Sequence, residues 1–209
     1  MAKYLSKVMR ENQLFMRNNY EKDGKYSFPL IKKQDIDISN LQLISYSDTK
    51  INDKRNTNKG VHFFIDDYRF EGIYNHPDRS LNKLKQYQFV CSPDFSIYFE
   101  MDKWRKIESV AKNRWLGAYW QENGLTVIPT ISWGSPATFE YCFDGVEKES
   151  IVAISTLGCK KAKRQFLLGY NEMKKRINPK IIICFDSPFD EIKDDVVFIN
   201  YLESRKVVR

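Results

Sequence analysis

The segment from Gln88 to Gly134 limits the possible folds more than any other, because it reads as one complete strand, helix, strand unit. Phe89-Val90-Cys91 is a short apolar run that stops at Ser92-Pro93-Asp94, and Leu125 to Ile131 is a second run that stops at Ser132-Trp133-Gly134. Between them Trp104, Ile107, Ala111, Trp115 and Ala118 recur every three or four residues, the period of one helical face laid on a sheet. Asn123-Gly124 ends that helix, since glycine accepts the left-handed conformation needed just past a last turn. Strands joined by a crossover of this length run parallel, and parallel sheets carry their sites at the carboxyl ends of the strands. A site is therefore expected at Ser92, Asp94, Ser132 and Trp133, before any chemistry is named.

The same alternation extends along the chain. Leu41 to Tyr46, Val61 to Ile65, Ile151 to Ile154, Lys180 to Phe185 and Val196 to Tyr201 read as further strands. Ser80 to Tyr87 and Ala162 to Ile177 read as helices, and Pro136 to Phe143 as one or two helical turns. The predicted class is α/β, a mostly parallel sheet built from βα units, either open and three-layered or closed into an incomplete barrel. An amphipathic helix is expected over residues 2 to 18, and Asp48 to Lys59, with hardly an apolar residue, reads as an exposed loop. The lack of a helix between Tyr46 and Val61 argues against a regular eightfold barrel. The spacing of apolar segments predicts one domain over residues 1–209: a flanking helix and arm (1–40), a core (41–201) and a basic tail (202–209).

Lys and Arg outnumber Asp and Glu by 34 to 27, a net charge of +7 that permits contact with nucleic acid without requiring it. Aromatic residues make up 14% of the chain, enough both to fill a core and to leave rings for a recognition surface. Cys91, Cys142, Cys159 and Cys184 never form a Cys-x-x-Cys pair, which favours free thiols in a reducing compartment over a zinc knuckle or redox motif. No apolar run reaches the length of a membrane span, and the amphipathic amino terminus lacks the apolar centre of a signal peptide, so a cytoplasmic protein is expected.

The strand ends supply the candidate chemistry. Asp66, Asp94 and Asp186 each follow a strand and are the candidate catalytic carboxylates and ligands for Mg²⁺ or Mn²⁺, because hard cations select oxygen and serve phosphoryl chemistry. Asp67, Arg69, Ser92, Ser96, Gln121, Trp133, Ser155 and Thr156 are candidate substrate-binding residues on the same rim or in the central unit. Lys160, Lys161, Lys163, Arg164, Lys174, Lys175 and Arg176 form the candidate nucleic-acid face of the second long helix. Each has a plainer reading, since strand-end aspartates also cap helices and charge runs are usually solvated faces. His62 falls inside a strand and His76 has no partner at ligand spacing, so no histidine metal cluster is read. No glycine-rich loop for a nucleotide cofactor and no Gly-x-Ser-x-Gly elbow occurs.

Over Val61 to Asp186 the chain resembles the family known as domain of unknown function 4417, found mainly in phages, plasmids and other mobile elements of Gram-positive bacteria. The resemblance lies in Asp66-Asp67-Tyr68-Arg69-Phe70-Glu71, Ser92-Pro93-Asp94-Phe95-Ser96, Arg114 to Gly124 with Tyr119-Trp120-Gln121, Val127-Ile128-Pro129 with Trp133, Phe143-Asp144-Gly145, and Val152 to Gly158. It implies a mobile-element protein acting in a host bacterial cell, and assigns no catalytic residue. Two functions from different classes follow. One is a nucleic-acid-associated protein with metal-dependent phosphodiester or phosphoryl chemistry at the strand-end aspartates. The other is a non-catalytic binder of a host protein such as a defence component.

Overall fold

A computed structural model describes residues 20–193 and 196–204. The expected amino-terminal helix, Asp194-Asp195 and the carboxyl-terminal part of the basic tail lie outside them. A two-stranded antiparallel arm comes first, β1 (Lys22–Asp23) and β2 (Phe28–Pro29). Seven strands then follow: β3 (Leu43–Ser45), β4 (Gly60–His62), β5 (Phe89–Cys91), β6 (Val127–Ile128), β7 (Ile151–Ser155), β8 (Ile181–Phe185) and β9 (Val196–Ile199). The helices between and after them are α1 (Gly72–Asn75), α2 (Asp78–Leu84), α3 (Lys103–Glu122), α4 (Lys163–Ile177) and α5 (Tyr201–Ser204).

Every pairing from β3 to β9 is parallel and the spatial order equals the chain order, β3-β4-β5-β6 and then β7-β8-β9. A single bridge, Thr130 with Ala153, joins the two groups just past β6. A doubly wound open sheet reverses its order at a switch point, and the described strands show no such reversal. The sheet instead curls. His62 of β4 lies 4.5 Å, ring centre to ring centre, from Phe185 of β8, and Phe64, two residues on, lies 4.8 Å from the same ring. Strands four places apart in a sheet make such contacts only when the sheet turns back on itself. No ladder joins β3 to β9 among the described residues, and α5 packs against β3 instead, so the closure is incomplete and barrel-like.

Alternation along the strands explains how this sequence fills both faces. Leu43, Phe89, Cys91, Ile128, Ile151, Ala153, Ile183, Phe185 and Ile199 form one buried cluster that draws on β3 and on β5 to β9, the interior of the curl. Their neighbours Ile44, Val61, Val90 and Val127 face outward into a second cluster with Trp115, Leu116, Tyr119 and Trp120 of α3. Val152, Ile154, Ile182 and Cys184 face a third cluster with Phe166, Tyr170, Met173 and Ile177 of α4. Gly60 is required inside the curl: a Cβ there would lie 2.0 Å from the Phe89 ring. Burying apolar groups on both faces of one sheet is the main stabilising term of such a fold.

Several elements differ from the sequence reading. Trp104, placed on the buried stripe of α3, is 61% exposed, whereas Trp115 and Ala118 of that stripe are buried together with Val110, Leu116, Tyr119 and Trp120. The strand expected to run to Tyr201 ends at Ile199, and Tyr201 opens α5. The 48–59 loop, expected to be exposed, is organised round a buried carboxylate. Asp53 accepts hydrogen bonds from the Arg55 and Asn56 backbone N–H groups (3.0 and 3.1 Å), the Asn56 amide and the Tyr87 hydroxyl (3.1 Å). All four cysteines are free thiols, as expected. No helix among the described residues is long and apolar enough to cross a membrane.

Candidate functional site

The inward positions of the strands are apolar at their amino ends and turn polar at their carboxyl ends. Two residues after Leu43 comes Ser45; two after Gly60 comes His62; two after Ala153 comes Ser155. These three side chains meet at the carboxyl end of the curl and line a cavity of about 750 Å³. Ser45 and His62 are direct partners in the β3–β4 register. The loops after the strands complete the wall with Asp66, Arg69, Asp94, Ser96, Tyr98, Ser132 and Trp133, and α5 closes one side with Tyr201. A cavity of this size at the carboxyl ends of parallel strands is where such folds place ligands.

Asp94 is the most perturbed carboxyl group of the cavity. Burial pushes it up to about 6, and the charge of Asp67 adds to the rise, while a hydrogen bond from the Ser132 hydroxyl opposes it. A carboxyl group near 6 exchanges protons close to neutral pH, as a general acid or base must. Asp67 itself holds the wall together: it accepts from the Ser96 backbone N–H (3.1 Å) and hydroxyl (2.8 Å), tying the loop after β4 to the loop after β5. Ser96 in turn lies 3.1 Å, oxygen to oxygen, from Tyr98 at the mouth. Cys159 also lines the cavity, and burial and the nearby Asp94 raise its thiol, which disfavours the thiolate.

Trp133 forms an aromatic wall. Its ring centre lies 4.9 Å from Phe166 and 6.0 Å from Phe143, and it rests against the backbone of α4 at Gly169, where a Cβ would come within 2.2 Å of the indole. Next to Asp94 and Ser132 sits a polar clamp made by Arg114 and Asn113. Arg114 is 2% exposed and donates to the carbonyls of Asp144 (2.8 Å), Cys142 (2.7 Å) and Thr130 (3.2 Å). Asn113 donates to Pro93 O (2.7 Å) and accepts from the Ser92 hydroxyl (2.9 Å). These bonds fix the directions in which β5 and β6 leave the sheet, and so set Asp94 and Ser132 facing each other.

The structure divides the residues predicted from sequence. Asp66, Asp94, Arg69, Ser96, Trp133 and Ser155 all line the cavity. Asp186 does not: it takes a left-handed conformation (φ 68°) just past β8 and its N–H donates to Ile199 O. The three expected acids therefore do not surround one point, and among the described residues no group of three His, Cys, Asp or Glu is placed to hold a metal ion. Ser92 is fully buried and spends its hydroxyl between Asn113 and the Thr130 N–H (2.8 Å). Thr156 is buried and donates to Ser187 O (2.8 Å). Gln121 lies near the far end of α3, where its amide donates to Lys32 O (2.8 Å) and accepts from Lys32 N (2.9 Å), holding the amino-terminal arm.

The basic residues of α4 are likewise split. The helix starts at the cavity end of the sheet and runs about 20 Å away from it at 1.5 Å per residue. Lys160, Lys161, Lys163 and Arg164 stand at the cavity end, where Lys163 pairs with Glu191 (2.8 Å). Lys174, Lys175 and Arg176 stand at the opposite end, where Arg176 pairs with Glu172 (2.7 Å).

The cavity also holds residues that the sequence reading missed, Ser45, Tyr98 and Tyr201 among them, and the most deeply buried of these is His62. It lay inside an apolar run and had no neighbour at ligand spacing, yet its inward register was the available signal. It is 2% exposed, its Nδ1 accepts from the Phe64 N–H (3.2 Å), and burial pulls its pKa down to about 3, so the ring is neutral.

The motifs quoted above map onto this architecture: the strand-end loops, the clamp of α3 and the Trp133 wall. The chain is 36% identical over 176 residues to the Gene 1 protein of Mycobacterium phage L5, an alignment that covers 82% of this chain and 76% of that one. It is also 36% identical over 144 residues to the Gene 1 protein of Mycobacterium phage D29, covering 64% of this chain and 53% of that relative, about half of its length. No solved structure gives a significant match. The model of the family described as a domain of unknown function (DUF4417) matches residues 20–202, and with that span, from the arm into α5, the chain belongs to this family.

Proposed function

We propose that this protein works for a phage by binding single-stranded nucleic acid, with one nucleotide entering the cavity at the strand ends. The observation that carries the reading is the cavity itself, lined by both polar groups and aromatic rings, together with exposed aromatic rings that stand beside cations on the surface. Tyr98 (61% exposed) stands at the mouth, and Phe99 (78%) follows it. The Lys106 ammonium donates to Phe99 O (2.9 Å) and lies 5.9 Å from the Phe99 ring. Trp104 is flanked by Lys103 and Arg105, and Tyr68 by Arg69, with guanidinium groups 5.3 and 5.4 Å from the two rings. Rings that offer a face to a base, next to cations that offer charge to a phosphate, are the elements of single-strand recognition. The chemistry that the cavity offers is proton transfer at Asp94.

Fluorescence anisotropy with a labelled 20-nucleotide DNA or RNA strand tests this. The expected result is binding that weakens steeply as salt rises and loses at least tenfold in affinity on Trp104→Ala or Phe99→Ala. No binding at low salt sinks the reading. The same exposed rings favour a second reading, in which they anchor a host protein. Affinity purification from host cells after nuclease treatment separates the two: a stoichiometric host protein that survives nuclease, with no retained oligonucleotide, supports the second.

A further inference from the structure

A residue of the cavity wall, His62, carries a buried hydrogen-bond donor that the fold leaves unused. Nδ1 of His62 is occupied as an acceptor by the Phe64 N–H, so the ring proton of the neutral imidazole sits on Nε2. Among the described residues Nε2 is buried and has no hydrogen-bond partner. Leaving a buried donor unpaired costs about 1–3 kcal/mol, and folds rarely tolerate it without a reason. The ring cannot turn to escape, because Phe185 lies 4.5 Å from it, Phe64 lies 5.7 Å from it, and a ring flip would break the bond from Phe64 N. His62 lines the cavity, beside Ser45 on the adjoining strand.

We propose that His62 is a specificity residue whose Nε2–H receives an uncharged carbonyl oxygen of the nucleobase at the cavity floor. This rests on the nucleotide reading above. The acceptor is a base carbonyl rather than a phosphate for a physical reason. A neutral imidazole packed by two phenyl rings in an apolar interior cannot offset the desolvation of a phosphate charge, whereas one N–H matches one carbonyl. The phosphate is left to the solvent-exposed end, where Arg69 lines the same cavity. The base therefore enters first and the backbone stays at the mouth.

The test needs only the whole protein and two substitutions. The chain has two histidines, so ¹⁵N-imidazole NMR resolves His62 from His76 directly. At pH 7 His62 is expected as the neutral Nε2–H tautomer; an Nδ1–H or a charged ring overturns the inference whatever binds. The probes are GMP, dTMP, CMP and AMP, with inorganic phosphate as control. GMP, dTMP or CMP, each with a base carbonyl, is expected to move the His62 Nε2–H signal; AMP, which has none, and phosphate are not.

His62→Asn keeps an acceptor for the Phe64 N–H but lacks a donor at the Nε2 position, and is expected to weaken that nucleotide about tenfold. His62→Gln, whose amide reaches the Nε2 position, is expected to recover part of the loss. Thermal melts establish that both variants fold. If nucleotides bind while the His62 signal and the two variants are unaffected, the inference fails and the nucleotide reading stands. If no nucleotide and no strand binds, both fail.

Discussion

Asp94 and Ser132 face each other across the carboxyl ends of β5 and β6, and the Ser132 hydroxyl donates to an Asp94 carboxylate oxygen. Burial outweighs that bond and leaves the Asp94 carboxyl group near 6. Because the folded-state value lies above the ordinary one, ionising Asp94 costs stability as pH rises from about 4 through 6, by about 2–3 kcal/mol once complete. Asp94→Asn is therefore expected to raise the melting temperature by several degrees at pH 7.5 and to leave it unchanged near pH 3.5. Thermal melts of both proteins across pH 3.5–8 check this. If Asp94 transfers protons in the cavity, the same variant loses function while melting at a higher temperature; a variant with full biological effect removes Asp94 from the chemistry.

Arg114 carries the clamp behind the site, giving hydrogen bonds to the carbonyls of Asp144, Cys142 and Thr130. Burial pulls its guanidinium down to about 10, still charged at neutral pH. Arg114→Met leaves the carbonyls of Asp144 and Cys142 unpaired, while Thr130 O keeps the Asn113 amide, and is expected to cost about 3–5 kcal/mol. Arg114→Lys keeps the charge but lacks the planar fork, and is expected to recover less than half of the loss. Urea denaturation midpoints measure both.

Gly169 lets the indole of Trp133 lie on α4, and a Cβ there would overlap it. Gly169→Ala is expected to push Trp133 into the cavity, lowering stability by about 1–3 kcal/mol and weakening anything bound there. Gly72, in α1 with nothing within 4 Å of an added Cβ, provides the control: Gly72→Ala is expected to leave binding unchanged. Melting temperatures and oligonucleotide affinity for the two variants decide the matter.

Asp53 orders the loop before β4. Burial opposes its charge, but the bonds from Arg55, Asn56 and Tyr87 win and hold its carboxyl below the ordinary value. Its stabilisation is then present above about pH 4 and is lost as pH falls through the lowered folded-state value. Asp53→Ala is expected to free the loop at neutral pH, which trypsin reports by faster cleavage after Lys54 and Arg55. Unchanged cleavage rates would show that the loop is held by other contacts.

The period of apolar residues was enough to read the strands and the two long helices, and the lengths of the crossovers fixed the strands as parallel, because both signals are local. The polar strand ends were also legible, and Asp66, Asp94, Ser96 and Ser155 stand where a parallel sheet puts them. Only tertiary structure decided whether the sheet stayed open or curled, since that depends on contacts such as His62 with Phe185, more than a hundred residues apart. It also decided which strand-end residues share a cavity. Asp186 and Thr156 follow strands as Asp94 does, but the Asp186 backbone turns left-handed and the buried Thr156 hydroxyl is spent on Ser187 O, and nothing in their own sequence records it. His62 shows the converse: a lone histidine in an apolar run looks like core until the curl puts its inward register under a cavity and leaves its Nε2–H without a partner.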